Sequence, residues 1–173
     1  MTPLYVYDFD KTLIPYDSFR RYLLHLLRLR PIHIGSLLLL RKMRILSAAG
    51  LKERVTRMVD HSASLTRETK HFAQRLIYDV QMPERTTKDG VVLIISASLK
   101  VYMRYVAEIL QCELLCSDYV DGRYVEMYGE TKAFALHQLY PQTEYTYVYA
   151  LSDSNSDLCW MSEFKQYDII DKQ

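Results

Sequence analysis

Cysteine is scarce in this sequence and poorly placed for cross-linking. Cys112, Cys116 and Cys159 are odd in number, form no Cys-x-x-Cys spacing and have no histidine nearby. That argues against a disulfide framework and a zinc centre and for buried thiols in a reducing compartment. Long apolar runs are missing too. The longest uncharged stretch of the basic region described below, Pro31 to Leu40, is ten residues, whereas a bilayer span needs about 20. Net charge is nearly absent, with 22 Lys and Arg against 21 Asp and Glu, and no aromatic-basic recognition motif is present, so no nucleic-acid partner is expected. There are no repeats and no low-complexity linker. The N-terminus runs straight into a strand-like segment without the basic-then-apolar order of a signal peptide, and a cytoplasmic location is expected.

What is present fits a globular chain. Of 173 residues, 49% are apolar and 25% charged, enough for one domain with a sizeable core or for a core plus a small insertion. The charge is unevenly spread. Between Ser18 and Met58 ten Lys and Arg face a single acid, Glu53, so the remainder is net acidic. Apolar residues interleave with arginines from Arg21 to Arg30. Two readings stand: amphipathic helices with a solvated basic face, or a surface for an anionic membrane or substrate.

Periodicity divides the chain further. Residues 3 to 7 read as a strand, and residues 16 to 80 as helical, with Phe19, Tyr22, Leu23, Leu26 and Leu27 at three-and-four spacing and Pro31 and Gly50 as punctuation. Residues 82 to 90 form a polar return. Val91 to Ile95 is an unbroken apolar run that suits a strand buried on both faces, ending in Ser96-Ala97-Ser98 before a helix from Leu99 to Leu110. A short strand at 113 to 115, a hairpin turning at Asp121-Gly122, a helix from 129 to 139, a strand from 145 to 150 and an edge strand from 167 to 170 complete the reading. Alternating strands and helices predict a doubly wound α/β core with a parallel sheet, whose ligands bind beyond the carboxyl ends of the strands.

The chemistry concentrates at those ends. Asp8-Phe9-Asp10-Lys11-Thr12 follows the first strand, and two carboxylates two residues apart share a face of an extended chain. A hard divalent cation such as Mg²⁺ would offset their mutual repulsion, and a strand followed by an Asp-rich turn is the plainer reading of the same residues. Ser96 follows the second strand, while Asp153 and Asp157 follow the strand at 145 to 150.

These segments, with Lys132 at the start of a helix, resemble the four ordered motifs of the haloacid dehalogenase (HAD) superfamily. The likeness covers nearly the whole chain. A helical insertion between the first and second motifs, Asp17-Ser18-Phe19 and Ser96-Ala97-Ser98 are similar to its phosphoserine-phosphatase-like branch. The resemblance implies a parallel α/β core over residues 1–14 and 86–173, with a helical cap inserted at 15–85. It implies a Mg²⁺-dependent phosphatase with Asp8 as nucleophile, Asp10 as acid and base, and Ser96 and Lys132 as further catalytic groups. Thr12, Ser96, Ala97, Lys132 and Asp17 would bind substrate and phosphate. Asp8, Asp153, Asp157 and Asp10, the last through its backbone carbonyl, would attend the metal. The implied partner is a small phosphorylated molecule.

Each residue has a plainer reading. Ser96 or Ser98 could cap the helix near Leu99, Asp153 with Ser154 the helix that follows them, and Asp17 the first insertion helix, while Lys132 could be solvated. Arg54 and Arg57 are candidates for an anionic contact. One departure from the family pattern is Ser152, where the fourth motif usually has glycine. It leaves a non-catalytic relative that binds phosphorylated ligands or a protein partner as one alternative, while Pro31 to Leu40 and its flanking arginines motivate another, a phospholipid head-group phosphatase at a membrane surface.

Overall fold

The computed structural model describes residues 1–84 and 90–170. Its centre is a six-stranded sheet in the order β4-β3-β2-β1-β5-β6, made of β1 (Thr2–Tyr7), β2 (Val91–Leu99), β3 (Glu113–Val120), β4 (Arg123–Val125), β5 (Tyr145–Ser152) and β6 (Gln166–Ile169). All pairings are parallel except β3 with β4. The first strand lies in the middle with β2 on one side and β5 on the other, so the chain changes winding direction beside β1 and a crevice opens at its carboxyl end.

Side-chain alternation explains why the sheet is covered on both faces. Tyr5 and Tyr7 of β1 point into one apolar cluster with Ile94 and Tyr149, while Leu4 and Val6 enter a second with Leu93, Ile95, Tyr147 and Ala150. A strand has period two, so a one-residue slip would exchange the faces. In β5 a bulge at Val148 does shift the pairing: Leu4 faces Tyr147 and Tyr5 faces Tyr149.

Four helices separate β1 from β2: α1 (Ser18–Leu29), α2 (Pro31–Lys42), α3 (Ala48–Asp60) and α4 (Ala63–Leu76). Each start has a local cause. Asp17 accepts from Arg20 N–H, Ser47 from Gly50 N–H and Ser62 from Leu65 N–H, while Pro31 occupies the first turn of α2. Gly50 therefore lies inside α3, and the break expected there falls at Arg44, whose φ of 60° ends the preceding segment. These helices share one apolar cluster with a sheet face. Tyr22 packs on Phe72 and Tyr102, with ring centroids 4.9 and 4.8 Å apart, joining α1 and α4 to α5 (Lys100–Leu110). The other face carries α6 (Glu130–Leu139) and the short α7 (Leu158–Met161), with Trp160 fully buried.

Several boundaries differ from expectation. β2 continues through Ser96-Ala97-Ser98 to Leu99 because β3 keeps pairing with it, Leu99 with Ser117 after a register shift. The short strand and first hairpin arm are one strand, β3, which returns through Asp121 and Gly122 at φ 49° and 76°, the left-handed pair a tight hairpin needs. The edge strand begins one residue early. Cys159, expected inside, is exposed, whereas Cys116 is buried. Of the polar return, residues 85–89 lie outside the described residues, as does the 85/86 boundary between the expected core and insertion. Among the described residues no helix is long and apolar enough to cross a membrane.

Candidate active site

Three strand ends and one helix start build the site. The first strand delivers Asp8, whose N–H donates to Leu151 O across the sheet at 2.9 Å and which is 7% exposed. Beyond it Lys11 adopts a left-handed φ of 59° and the N–H groups of Thr12, Leu13 and Ile14 converge on Phe9 O. That turn folds Thr12 back, so its Oγ1 donates to Asp8 Oδ2 at 3.3 Å.

Every predicted site residue except Thr12 lines one cleft of about 230 Å³: Asp8, Asp10, Asp17, Ser96, Ala97, Lys132, Asp153 and Asp157. Thr12 stands one contact behind it. The start of α6 carries Lys132 inward to 3% exposure, where its Nζ donates to Asp8 Oδ1 at 2.6 Å and to Asp157 Oδ2 at 2.8 Å. The solvated reading of this lysine is thereby overturned. Burial opposes its charge, yet Asp8 and Asp157 outweigh that cost and hold the ammonium above its ordinary pKa.

Asp8 is pulled both ways. Burial pushes its carboxyl up, Lys132 pulls it down, and Asp157 and Asp10 push it up again, leaving it at about 6. Burial also raises Asp10, against hydrogen bonds from Ser18 and Ser98. Asp10 Oδ1 accepts from Ser18 N–H at 2.7 Å and Oδ2 from Ser98 Oγ. Ser18 Oγ in turn meets Ser98 Oγ and Tyr102 OH, so a buried polar chain runs from Asp10 to α5.

The capping readings separate cleanly. Neither Ser96 nor Ser98 caps α5, whose N-cap is Leu99 without a side-chain bond; Ser96 Oγ instead accepts from Ser98 N–H at 3.1 Å. Of Asp153 and Ser154 it is Ser154 that caps the 3₁₀ turn at Asn155–Asp157, its side chain accepting from Ser156 N–H. Asp17 both caps α1 and lines the cleft. Arg57 is held by Glu53 and Tyr119 OH outside the cleft, and Arg54 does not line it either. Besides Asp17 and Ser18, the helical segment between β1 and β2 reaches the site through Lys52 of α3, which lies outside the cleft lining, donates to Ala97 O at 2.8 Å and pairs with Glu126. Lys52, Ser18, Ser98, Tyr102 and the rim residue Tyr128 were all missed in the sequence. Ser18 and Ser98 sit inside recognised motifs, whereas nothing distinguishes Tyr102 from an ordinary core position.

Ser152 has a positive role. Its backbone is regular strand paired with Ile169, so no left-handed conformation demands glycine. Its Oγ donates to Asp157 Oδ2 at 2.7 Å and accepts from Ser154 N–H at 3.2 Å, fixing the carboxylate that holds Lys132.

Five carboxylates and two ammonium groups line the cleft, and Asp157 Oδ1 is buried without a hydrogen bond. Among the described residues no three His, Cys, Asp or Glu side chains form a ready-made metal cluster. Mg²⁺ does not require one: it is usually held by one or two carboxylates and keeps several waters. The donor set and its surplus negative charge therefore fit a hydrated divalent cation.

The chain belongs to the haloacid dehalogenase-like hydrolases, whose family model matches residues 5–162. No curated protein matches it. Among solved structures, a protein of unknown function from Bordetella pertussis Tohama I superposes with a TM-score of 0.61 at 19% identity, covering 91% of this chain and 85% of that one. HAD family hydrolase t0658 from Salmonella enterica serovar Typhi gives 0.52 at 14% identity, covering 94% and 61%. Phosphoserine phosphatase in its apo form gives 0.53 at 13%, covering 96% and 85%. At these identities the likeness is one of fold, and it includes the branch that Asp17-Ser18-Phe19 and Ser96-Ala97-Ser98 resemble.

Proposed function

We propose that this hydrolase is a Mg²⁺-dependent phosphomonoesterase in which Asp8 accepts the phosphoryl group. The observation that carries the reading is the charge of the cleft: five carboxylates against two ammonium groups would repel a phosphate dianion unless a divalent cation joined them. Asp8 and Asp153, with the backbone carbonyl of Asp10 and water, would hold that cation, and Asp157 would support it from behind Lys132. When bound, it offsets the charge of the carboxylates and of the transferring phosphoryl oxygens.

The residues then divide the work. Lys132 and Thr12 fix the Asp8 carboxylate by its two oxygens, so one oxygen attacks phosphorus as the ester oxygen leaves. Asp10, which burial biases toward its protonated form, gives the leaving oxygen a proton. An aspartyl-phosphate remains. Water attacks its phosphorus, Asp10 takes the proton back, and phosphate and free Asp8 are regenerated. Ser96, whose oxygen accepts from Ser98 N–H, keeps its own proton for a phosphoryl oxygen. A cleft of about 230 Å³ suits a small phosphorylated molecule, with the insertion at 15–85 as the selecting cap through Asp17 and Lys52. Acid-quenching the protein during turnover of p-nitrophenyl phosphate with Mg²⁺, then mapping peptides by mass, is expected to find one phosphoryl group on Asp8. Turnover with the group on another residue contradicts the assignment.

A further inference from the structure

The apolar and basic face of α2 is used by neither the core nor the cleft. Of the apolar residues in this helix only Ile34 is fully buried. Ile32 is 83% exposed and Leu39 57%, with Met43 at 59% and Ile45 at 66% just beyond its end. Ile32, Leu39 and Met43 are spaced i, i+7 and i+11, so they lie along one side of the helix. Single exposed leucines are ordinary, but a row of large apolar side chains on one face is not.

Charge gathers on the same segment. From Ser18 to Lys52 there are eight Lys and Arg and no Asp or Glu, while the rest of the chain has fourteen cations against twenty-one acids. Arg28, Arg30, Arg41, Lys42 and Arg44 are all exposed, bracketing the apolar row at both ends. A surface that carries large apolar side chains toward both ends of α2, with Gly35 and Ser36 between them and cations beyond, complements a layer whose headgroups are anionic and whose interior is hydrocarbon. Other occupants fit less well. A second copy would bring two cationic rims together without acids to pair them. Nucleic acid would leave the apolar row without a partner, and no Phe, Tyr or Trp lies between Tyr22 and Phe72 to stack on a base.

We propose that α2 and its flanks dock the protein on an anionic bilayer surface, peripherally and reversibly. Electrostatic attraction through the arginines brings the face to the headgroups, and Ile32, Leu39, Met43 and Ile45 enter the interfacial layer. The docking is independent of whatever the cleft hydrolyses.

Flotation of the full chain with vesicles of phosphatidylcholine alone, or with about 30 mol% phosphatidylserine, tests this. Retention is expected on the anionic vesicles only, falling at least about tenfold as NaCl rises from about 0.05 to 0.5 M. The triple variant Arg41→Glu, Lys42→Glu, Arg44→Glu and the double variant Leu39→Asp, Met43→Asp should each lose at least about tenfold in binding. Arg41→Lys with Arg44→Lys should keep it, a control that does not depend on the disruptive variants folding. Equal binding to neutral vesicles, no binding to either kind, or full retention by both disruptive variants overturns the proposal. So does retention on immobilised polyglutamate alone, which would give the face to an acidic protein.

Discussion

As the proposed nucleophile, Asp8 would have to be ionised in surroundings that prefer it neutral. Its carboxyl sits at about 6 in the fold against 3.8 when unfolded. Because the folded value is the higher one, ionisation costs stability: the penalty is absent below the unfolded value, grows as pH rises, and is complete above about 6, on the order of 3 kcal/mol. A cation that binds the carboxylate recovers part of it. Millimolar Mg²⁺ should therefore raise the melting temperature clearly at about pH 8, much less at about pH 5, and not at all in Asp8→Asn. Differential scanning fluorimetry checks this, and an equal Mg²⁺ shift at both pH values would contradict it. Ser152 supports the same network from behind. Both Ser152→Ala and Ser152→Gly are expected to destabilise the fold by about 1–2 kcal/mol in urea titrations, because each leaves Asp157 short of a buried donor. The glycine variant, although it restores the usual family residue, should be the worse of the two because it also loosens the strand. A more stable glycine variant would contradict the role given to the hydroxyl.

At the scale of elements, each strand or helix end decides what its residues can reach. Asp17 caps α1 and also lines the cleft, and two substitutions separate the roles. Asp17→Asn keeps a capping oxygen, so stability should change by less than about 0.5 kcal/mol, whereas Asp17→Ala should cost about 1 kcal/mol. If Asp17 also recognises a substrate ammonium group, Asp17→Asn will raise KM for amino-acid phosphates while leaving p-nitrophenyl phosphate unaffected; equal effects on both would confine it to capping. The strands around the site were legible because Leu4 to Tyr7 and Val91 to Ile95 are apolar runs of strand length, each followed by polar residues. The extension of β2 through Ser96-Ala97-Ser98 was not, since small polar residues look like a loop and only pairing with β3 keeps them extended. The polar chain from Asp10 through Ser98 and Ser18 to Tyr102 was hidden for a related reason: its members are up to 92 positions apart, and the pairing of β1 with β2 and the packing of α1 over β2 and Tyr102 bring them together.

Across the whole molecule, the four inserted helices and one sheet face bury their side chains in a single apolar cluster that runs from Tyr7 and Ile94 through Tyr22 and Phe72 to Val55. A shared cluster couples the insertion to the sheet. Calorimetry should accordingly show one cooperative transition with matching calorimetric and van't Hoff enthalpies, and two resolved transitions would mean the insertion folds on its own. The same coupling places Lys52 of α3 against Ala97 O in the second motif. The family and the convergence of its motifs were readable because ordered motifs at strand ends survive without knowledge of packing; the insertion's contacts were not, because its helices have many amphipathic partners available. The central claim, that Asp8 performs phosphoryl transfer with a divalent cation, meets its most direct test in steady-state release of phosphate from p-nitrophenyl phosphate. The account predicts turnover by the native chain that EDTA abolishes and Mg²⁺ restores, with Asp8→Asn slower by at least about a thousandfold though equally well folded. Equal turnover by Asp8→Asn, or turnover indifferent to Mg²⁺, would contradict it.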